Sequence, residues 1–263
     1  MNLSTVAENT PDPITRIGGA AYIWTKRILG QNQHRYEYDG SEFIFEYSTT
    51  QQFGKSRGLV TDDGIGPEGV PMELLNVDAH DAIIDVGAHF GLYSVIFGML
   101  SPDIKLFSFE PNNYNRSVLE RNLRINGIDA TISEKIVSDE TGTIPFYEDR
   151  DIEGSVRDTT VPDNEECFTR VERPSIALSD LFDQEYITRP FVKIDAEGAE
   201  QDILIDLFEQ SKLNHLAGIV ELHNERLDDG PKALLDYLAG QGMEYDCVKK
   251  EPVTRKAYHF YPA

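Results

Sequence analysis

DAIIDVGAHFGLYS, residues 81–94, decides the fold. A short apolar run ends at Asp85, the chain passes Gly87 and Gly91, and helical apolar spacing takes over, which predicts strand, glycine turn, helix. Glycines let the backbone pass close to a bound molecule, and the amides opening the next helix face whatever sits above the strand end. Such a turn is a cradle for a small molecule. Its spacing narrows the choice. A dinucleotide turn wants G-x-G-x-x-G, whereas here Asp85 stands at the first glycine position and the run reads D-x-G-x-x-x-G, which counts against NAD and FAD.

Downstream, KLFSFE (residues 105–110) predicts a second strand ending in Glu110, an acid able to accept both hydroxyls of a ribose. The bland readings are a turn cap for Asp85 and a strand stop before Pro111 for Glu110. Further strings follow in order: FSFEPNNYNRSVLERNLRING, IVSDETGTIPFY, KIDAEGAE (193–200) and IVELHN (219–224). With DVGAHFGLYS they resemble the FkbM family of S-adenosylmethionine (SAM)-dependent methyltransferases over residues 80–225. The resemblance implies an α/β fold, a Rossmann-like seven-stranded, mostly parallel sheet flanked by helices, with SAM as cofactor. It also implies acceptors such as sugars in glycans, glycolipids or polyketide-like metabolites. On that reading Asp85, Gly87, His89 and Gly91 approach the methionine part, Glu110 holds the ribose, and Ser138 and Asp139 meet the adenine. His89 alternatively just fills the turn, and Tyr93 and Tyr114 are core aromatics unless they stack near the ligand.

The chain has 263 residues, 46 acidic against 24 basic, for a formal charge of −22. This disfavours nucleic acid and anionic membrane as partners. The acids are spread along the sequence rather than gathered in a tail, and 40% of residues are hydrophobic, so the pattern is that of a folded protein. A salt-adapted source accounts for it, because in molar salt the Debye length falls to about 3 Å and self-repulsion is screened. Cys167 and Cys247 are far apart and lack metal spacing, and MNLSTVAENTPDP has neither a basic nor an apolar leader region, so a cytoplasmic location is expected.

Two regions are expected, an N-terminal extension (1–77) and a methyltransferase domain (78–263). In the extension, residues 14–30 have helical apolar spacing with Trp24, Ile28 and Leu29 on one face. That helix either packs on the catalytic domain or touches a membrane surface or partner. HRYEYDG and SEFIFEYS (34–48) predict a hairpin across Asp39-Gly40 that covers one edge of the fold. Residues 51–70, with Gln51, Gln52 and Arg57, either close over a substrate or merely connect, and 68–77 predict a short helix.

Alternating strands and helices then predict a parallel sheet: strands 81–86, 105–110, 131–137, 190–195 and 217–223, helices 91–100, 113–126, 199–210 and 230–240, and a closing antiparallel pair near 243–249 and 256–261. TIPFYE (143–148) reads as a small hairpin, and 149–172 as a substrate lid or disordered insertion.

Ligands of open parallel sheets bind beyond the carboxyl ends of the strands. There Lys193 and Asp195 share one strand face, and Glu221 and His223 another, by the period of two. Methyl transfer to a hydroxyl needs alignment and a proton acceptor. His223 and Asp195 are the candidate bases, the carboxylate crowded by Glu197 and Glu221 and so raised in pKa. The alternative is a structural network in which Lys193 neutralises the acids. A divalent metal on Asp195, Glu221 and His223 is a lesser alternative, and no metal site is assigned. Beside the leading reading, an O-methyltransferase acting on a sugar hydroxyl or uronate carboxylate, stand a non-catalytic SAM- or glycan-binding module and an NAD-dependent sugar enzyme.

Overall fold

The structure, a computed structural model, describes residues 22, 24–38, 41–49, 52–53, 60–61, 64–65, 70–75, 77–149, 159, 168–210, 213, 215–223, 227, 230–248 and 255–263. Two hairpins come first, β1 (Gln33–Tyr38) with β2 (Ser41–Glu46) and β3 (Val60–Thr61) with β4 (Gly64–Ile65). Then follow β5 (Ala82–Val86), helix Leu92–Leu100, β6 (Lys105–Phe109), helix Asn113–Ile125 and β7 (Thr131–Ser133). A small sheet is formed by β8 (Ile136–Ser138), β9 (Gly142–Asp149) and β10 (Phe168–Ala177). Helix Leu178–Glu185, β11 (Pro190–Ile194), helix Glu200–Gln210, β12 (Ala217–His223), helix Gly230–Gly240, β13 (Met243–Cys247) and β14 (Arg255–Pro262) complete the chain.

The main sheet has the order β13-β14-β12-β11-β5-β6-β7, with β14 antiparallel to both of its neighbours and the other pairings parallel. This is the seven-stranded, Rossmann-like arrangement expected. Its central strands AIIDV and PFVKI are buried at every residue, as strands covered by helices on both faces must be. Ile84, Val192 and Val220 pack into the core on one face, and Ile83, Phe191 and Ile219 into that on the other. Asp85 and Lys193 are the charged exceptions within these two strands.

Three expectations change. The strand expected over 131–137 is broken at 134–135: β7 pairs with β6, whereas β8 leaves the main sheet and pairs with β10. TIPFYE is one arm of a long ribbon, β9 against β10, and residues 168–172, read as loop, are its other arm. Thr169 and Arg170 are exposed there, and Arg173 pairs with Glu148, so the ribbon lacks the apolar run by which a strand is recognised. Of the segment between the arms only Thr159 is described; it is buried and bridges to Tyr147. Residues 72–75, within the expected short helix, form a single 3-10 turn.

The β1–β2 hairpin lies on helix Asn113–Ile125. Asn126 exchanges hydrogen bonds with the main chain of Ile44, donating at 2.7 Å and accepting at 2.9 Å, and Asn122 does the same with Glu46. Two side-chain amides thus satisfy the β2 backbone in place of a third strand. Tyr36, Phe43 and Phe45 join the core of the main sheet. The Asp39-Gly40 turn lies outside the described residues. So do Gln51 and Arg57, while Gln52 is buried, accepting from Ser48 N–H and donating to Asn115. Residues 24–28 are helical, with Trp24, Ile28 and Leu29 exposed rather than packed on the catalytic domain. Among the described residues no helix is long and apolar enough to cross a membrane.

Candidate active site

The glycine turn is built by main-chain geometry. Gly87, His89 and Gly91 all have positive φ (71°, 51° and 92°), and the amides of Gly87 and Ala88 donate to the Phe109 carbonyl at the end of β6. Glu110 completes the link, its Oε2 accepting from His89 N–H at 2.8 Å and its Oε1 from Asn112 N–H at 2.9 Å. The turn and the distant acid therefore meet at one rim. The glycines have internal causes too. A Cβ on Gly87 would stand 1.9 Å from the Asp195 carbonyl oxygen, and one on Gly91 2.7 Å from Leu119 Cδ1. Close approach to the protein's own backbone makes Gly87 necessary.

Behind the turn lies a buried polar row. Asp85 is fully buried; its Oδ2 accepts from Ser94 Oγ at 2.5 Å and its Oδ1 lies 3.6 Å from Lys193 Nζ. Burial pushes the Asp85 carboxyl up, against the pull of Lys193 and Ser94. Lys193 Nζ also lies 3.6 Å from Asp195 Oδ2 and sits over the Tyr93 ring. Asp85, expected at the cofactor, is the fully buried inner end of a charge row that runs through Lys193 to Asp195.

At the ends of β11 and β12 stands an imidazole among carboxylates. His223 has no exposed side-chain surface; its Nδ1 is 2.7 Å from Glu200 Oε1, and its Nε2 is 3.3 Å from Glu197 Oε2 and 3.8 Å from Asp195 Oδ1. Burial works against a charged ring, but the neighbouring Glu197 and Glu200 outweigh it and push the His223 pKa up to about 10. In metal-free protein this favours the charged ring at neutrality, and with no exposed surface the ring is not presented to an acceptor hydroxyl as the expected base would be.

Glu200, also fully buried, accepts through Oε1 from the amides of Ala196 and Gly198 as well. It opens helix Glu200–Gln210, where the helix dipole favours a negative charge. Glu197 adopts φ 49°, and its carbonyl accepts from Thr159 Oγ1 at 2.6 Å. A non-glycine residue held in that region is strained and persists only when its surroundings fix it.

Of the expected residues, Gly87, His89, Gly91 and Glu110 come together at one end of the rim, and Lys193, Asp195, Glu197 and His223 at the other. The carboxylates placed near His223 are those of Asp195, Glu197 and Glu200, the last of which sequence reasoning left without a role. The signal was the last letter of KIDAEGAE, an acid at a helix start. Ser138 and Asp139 end β8 of the small sheet rather than a strand of the main one. Ser138 Oγ donates to the Glu140 carbonyl, and Asp139 helps raise the Asp206 pKa, behind burial as the main cause. Tyr114 is a tether whose hydroxyl donates to the Ser48 carbonyl.

The methyltransferase FkbM domain matches residues 85–246, well over half of the chain. The methyltransferase sdnD of Sordaria araneosa is 27% identical over 165 residues, and the match covers 50% of this chain and 62% of that protein, so the chain spans under two thirds of this relative. Among solved structures, the methyltransferase FkbM of Methylobacillus flagellatus is similar with a TM-score of 0.46 and 15% identity, over 69% of this chain and 43% of that one. A putative O-methyltransferase from Klebsiella pneumoniae has a TM-score of 0.45 and 13% identity, over 74% and 85%. With the domain matched from the Asp85 turn to beyond β12, the chain belongs to the FkbM methyltransferase family.

Proposed function

We propose that this FkbM-family methyltransferase moves the methyl group of SAM to a hydroxyl of a sugar or glycan precursor. The carrying observation is the contact between the two ends of the rim: Gly87 abuts the Asp195 carbonyl, and Asp195 N–H donates to the Val86 carbonyl at 3.2 Å. A cofactor seated over the turn has Asp195 as its neighbour. The turn and Glu110 fit SAM, since a carboxylate oxygen that accepts one amide keeps a second lone-pair direction for a ribose hydroxyl. Asp139, exposed at the end of β8, is assigned to the adenine side.

Bound SAM would supply a methyl group activated by its positive sulfur. The chain's part is then to orient the acceptor and take its proton. With the His223 ring sealed from the surface, the group that takes that proton is a carboxylate, Asp195 or Glu197. Asp195 is the more accessible, its side chain 27% exposed against 12%. Lys193 holds Asp195 from the side of Oδ2. A uronate acceptor would approach against the charge of these acids, which favours a hydroxyl.

Titration calorimetry with SAM and with NAD, in dilute buffer and in molar KCl, tests the cofactor. Labelled SAM incubated with extracted glycolipids tests the acceptor. Heat from SAM alone and label in a glycan are expected; no heat from SAM in either buffer overturns the reading. The second reading, a SAM-binding module with structural acids, draws on the complete burial of Glu200 and His223. It requires that Asp195→Asn have no turnover to lose.

A further inference from the structure

We propose that Asp195, Glu197 and His223 form a divalent-cation site, with His223 Nε2 and one carboxylate oxygen from each acid as ligands. The three donor atoms lie within 4.8 Å of one another, at 3.3 Å and 3.8 Å from Nε2 to the two oxygens. With metal–ligand bonds of about 2.1 Å, neighbouring donors lie about 3 Å apart and opposed donors about 4 Å. Both distances measured to Nε2 fall in that window.

The imidazole supplies the independent observation. His223 Nε2 is completely buried and hydrogen-bonded to no group among the described residues. It lies 3.3 Å from Glu197 Oε2 and 3.8 Å from Asp195 Oδ1. Nδ1 is engaged by Glu200, itself fixed by the Ala196 and Gly198 amides. A carboxylate on one ring nitrogen, with a cation on the other, is how a metal-binding histidine is oriented. In metal-free protein a proton on the ring offsets the charge of the carboxylates; a divalent cation that displaces it would engage all three donors at once.

The loop is built to hold this arrangement. Thr159 fixes the Glu197 carbonyl, and Lys193 engages Asp195 through Oδ2 so that Oδ1 faces His223. One imidazole nitrogen and two carboxylate oxygens suit Mn2+ and its first-row neighbours better than Ca2+, which takes six to eight oxygens. The partly exposed side of Asp195 leaves coordination positions for water or vicinal hydroxyls.

The test uses the full chain, stripped with EDTA and titrated with MnCl2 in molar KCl to suppress loose binding, free Mn2+ being read by electron paramagnetic resonance. No SAM or acceptor is present, so the outcome is independent of the methyl-transfer reading. One saturable Mn2+ per chain is expected, with affinity at least tenfold weaker in Glu197→Gln and in Asp195→Asn. Glu221→Gln, two residues before His223 on the same strand, keeps wild-type affinity. Because a variant of this loop can fail to fold, the wild-type Mn2+ complex is also examined by electron spin echo modulation, where coupling to an imidazole nitrogen is expected. Unsaturable uptake, unchanged affinity in Glu197→Gln, equal losses in Glu221→Gln and Glu197→Gln, or no nitrogen coupling each overturns the site.

Discussion

At the β5–β6 end of the rim, Glu110 accepts two main-chain amides, and the chain bends through Gly87, His89 and Gly91 at positive φ. At the β11–β12 end, Glu200 and His223 are sealed from solvent, and order comes from charges at two strand ends and a helix start, with Thr159 holding the Glu197 carbonyl. The first end is shaped by backbone within one β-turn-α unit plus the next strand. The second is shaped by side chains that meet only when β11 and β12 pair. A backbone cradle needs little electrostatic compensation, whereas buried acids must carry their own counter-charges. The ends should therefore fail differently.

The largest effect is expected from Glu200→Ala. Removing one partner of a buried ion pair typically costs about 3–5 kcal/mol, and here it also orphans two amides. Chemical denaturation should register that loss, and a change under about 1 kcal/mol would mean that the β11–β12 end is not held by charge. The same claim has a pH signature in metal-free protein. His223 is raised from 6.5 to about 10 in the folded state, so its stabilising contribution is complete below pH 6.5 and is lost as pH climbs towards 10. Denaturation at stepped pH should show stability falling across that interval, by at most about 1.4 kcal/mol per unit from this group.

Gly87→Ala comes next. It sets a Cβ against the Asp195 carbonyl in a left-handed conformation, and such strain costs about 1–3 kcal/mol. Since both ends share this contact, SAM affinity and turnover should fall together; an unaltered turnover number would separate them. Glu110→Gln must turn its NH2 towards the amide of His89 or of Asn112. SAM affinity should weaken tenfold or more, about 1.4 kcal/mol, as measured by calorimetry, while Mn2+ binding at the other end persists. The smallest effect is Thr159→Val, which removes one hydrogen bond to Glu197, worth about 1 kcal/mol. Its readout is slower turnover at unchanged SAM affinity.

Much of the first end was legible beforehand. The strand, the turn, Glu110 and the helix capped by Asn112 follow one another along the chain, and each has local chemistry that declares it. The second end was legible in kind only: KIDAEGAE and IVELHN promised acids and a histidine at strand ends, but not that Glu200 would be the acid against His223 Nδ1. Alternation along a strand gives the face of a side chain and not the reach of a residue that opens the next helix. Similarly, nothing in 149–172 announced that one buried threonine would support Glu197.

The amino-acid sequence by itself determined the α/β class, the order of strands and helices, the glycine turn and its acid partner, because hydrophobic period, glycine placement and capping act over a few residues. Only the tertiary structure decided that β8 leaves the main sheet, that the hairpin rests on Asn122 and Asn126, and that His223 is gripped by Glu200 and faces Asp195 and Glu197. Those outcomes depend on burial and charge between segments far apart in the chain, and the strength of such forces is fixed by the distances and solvent exclusion that folding creates.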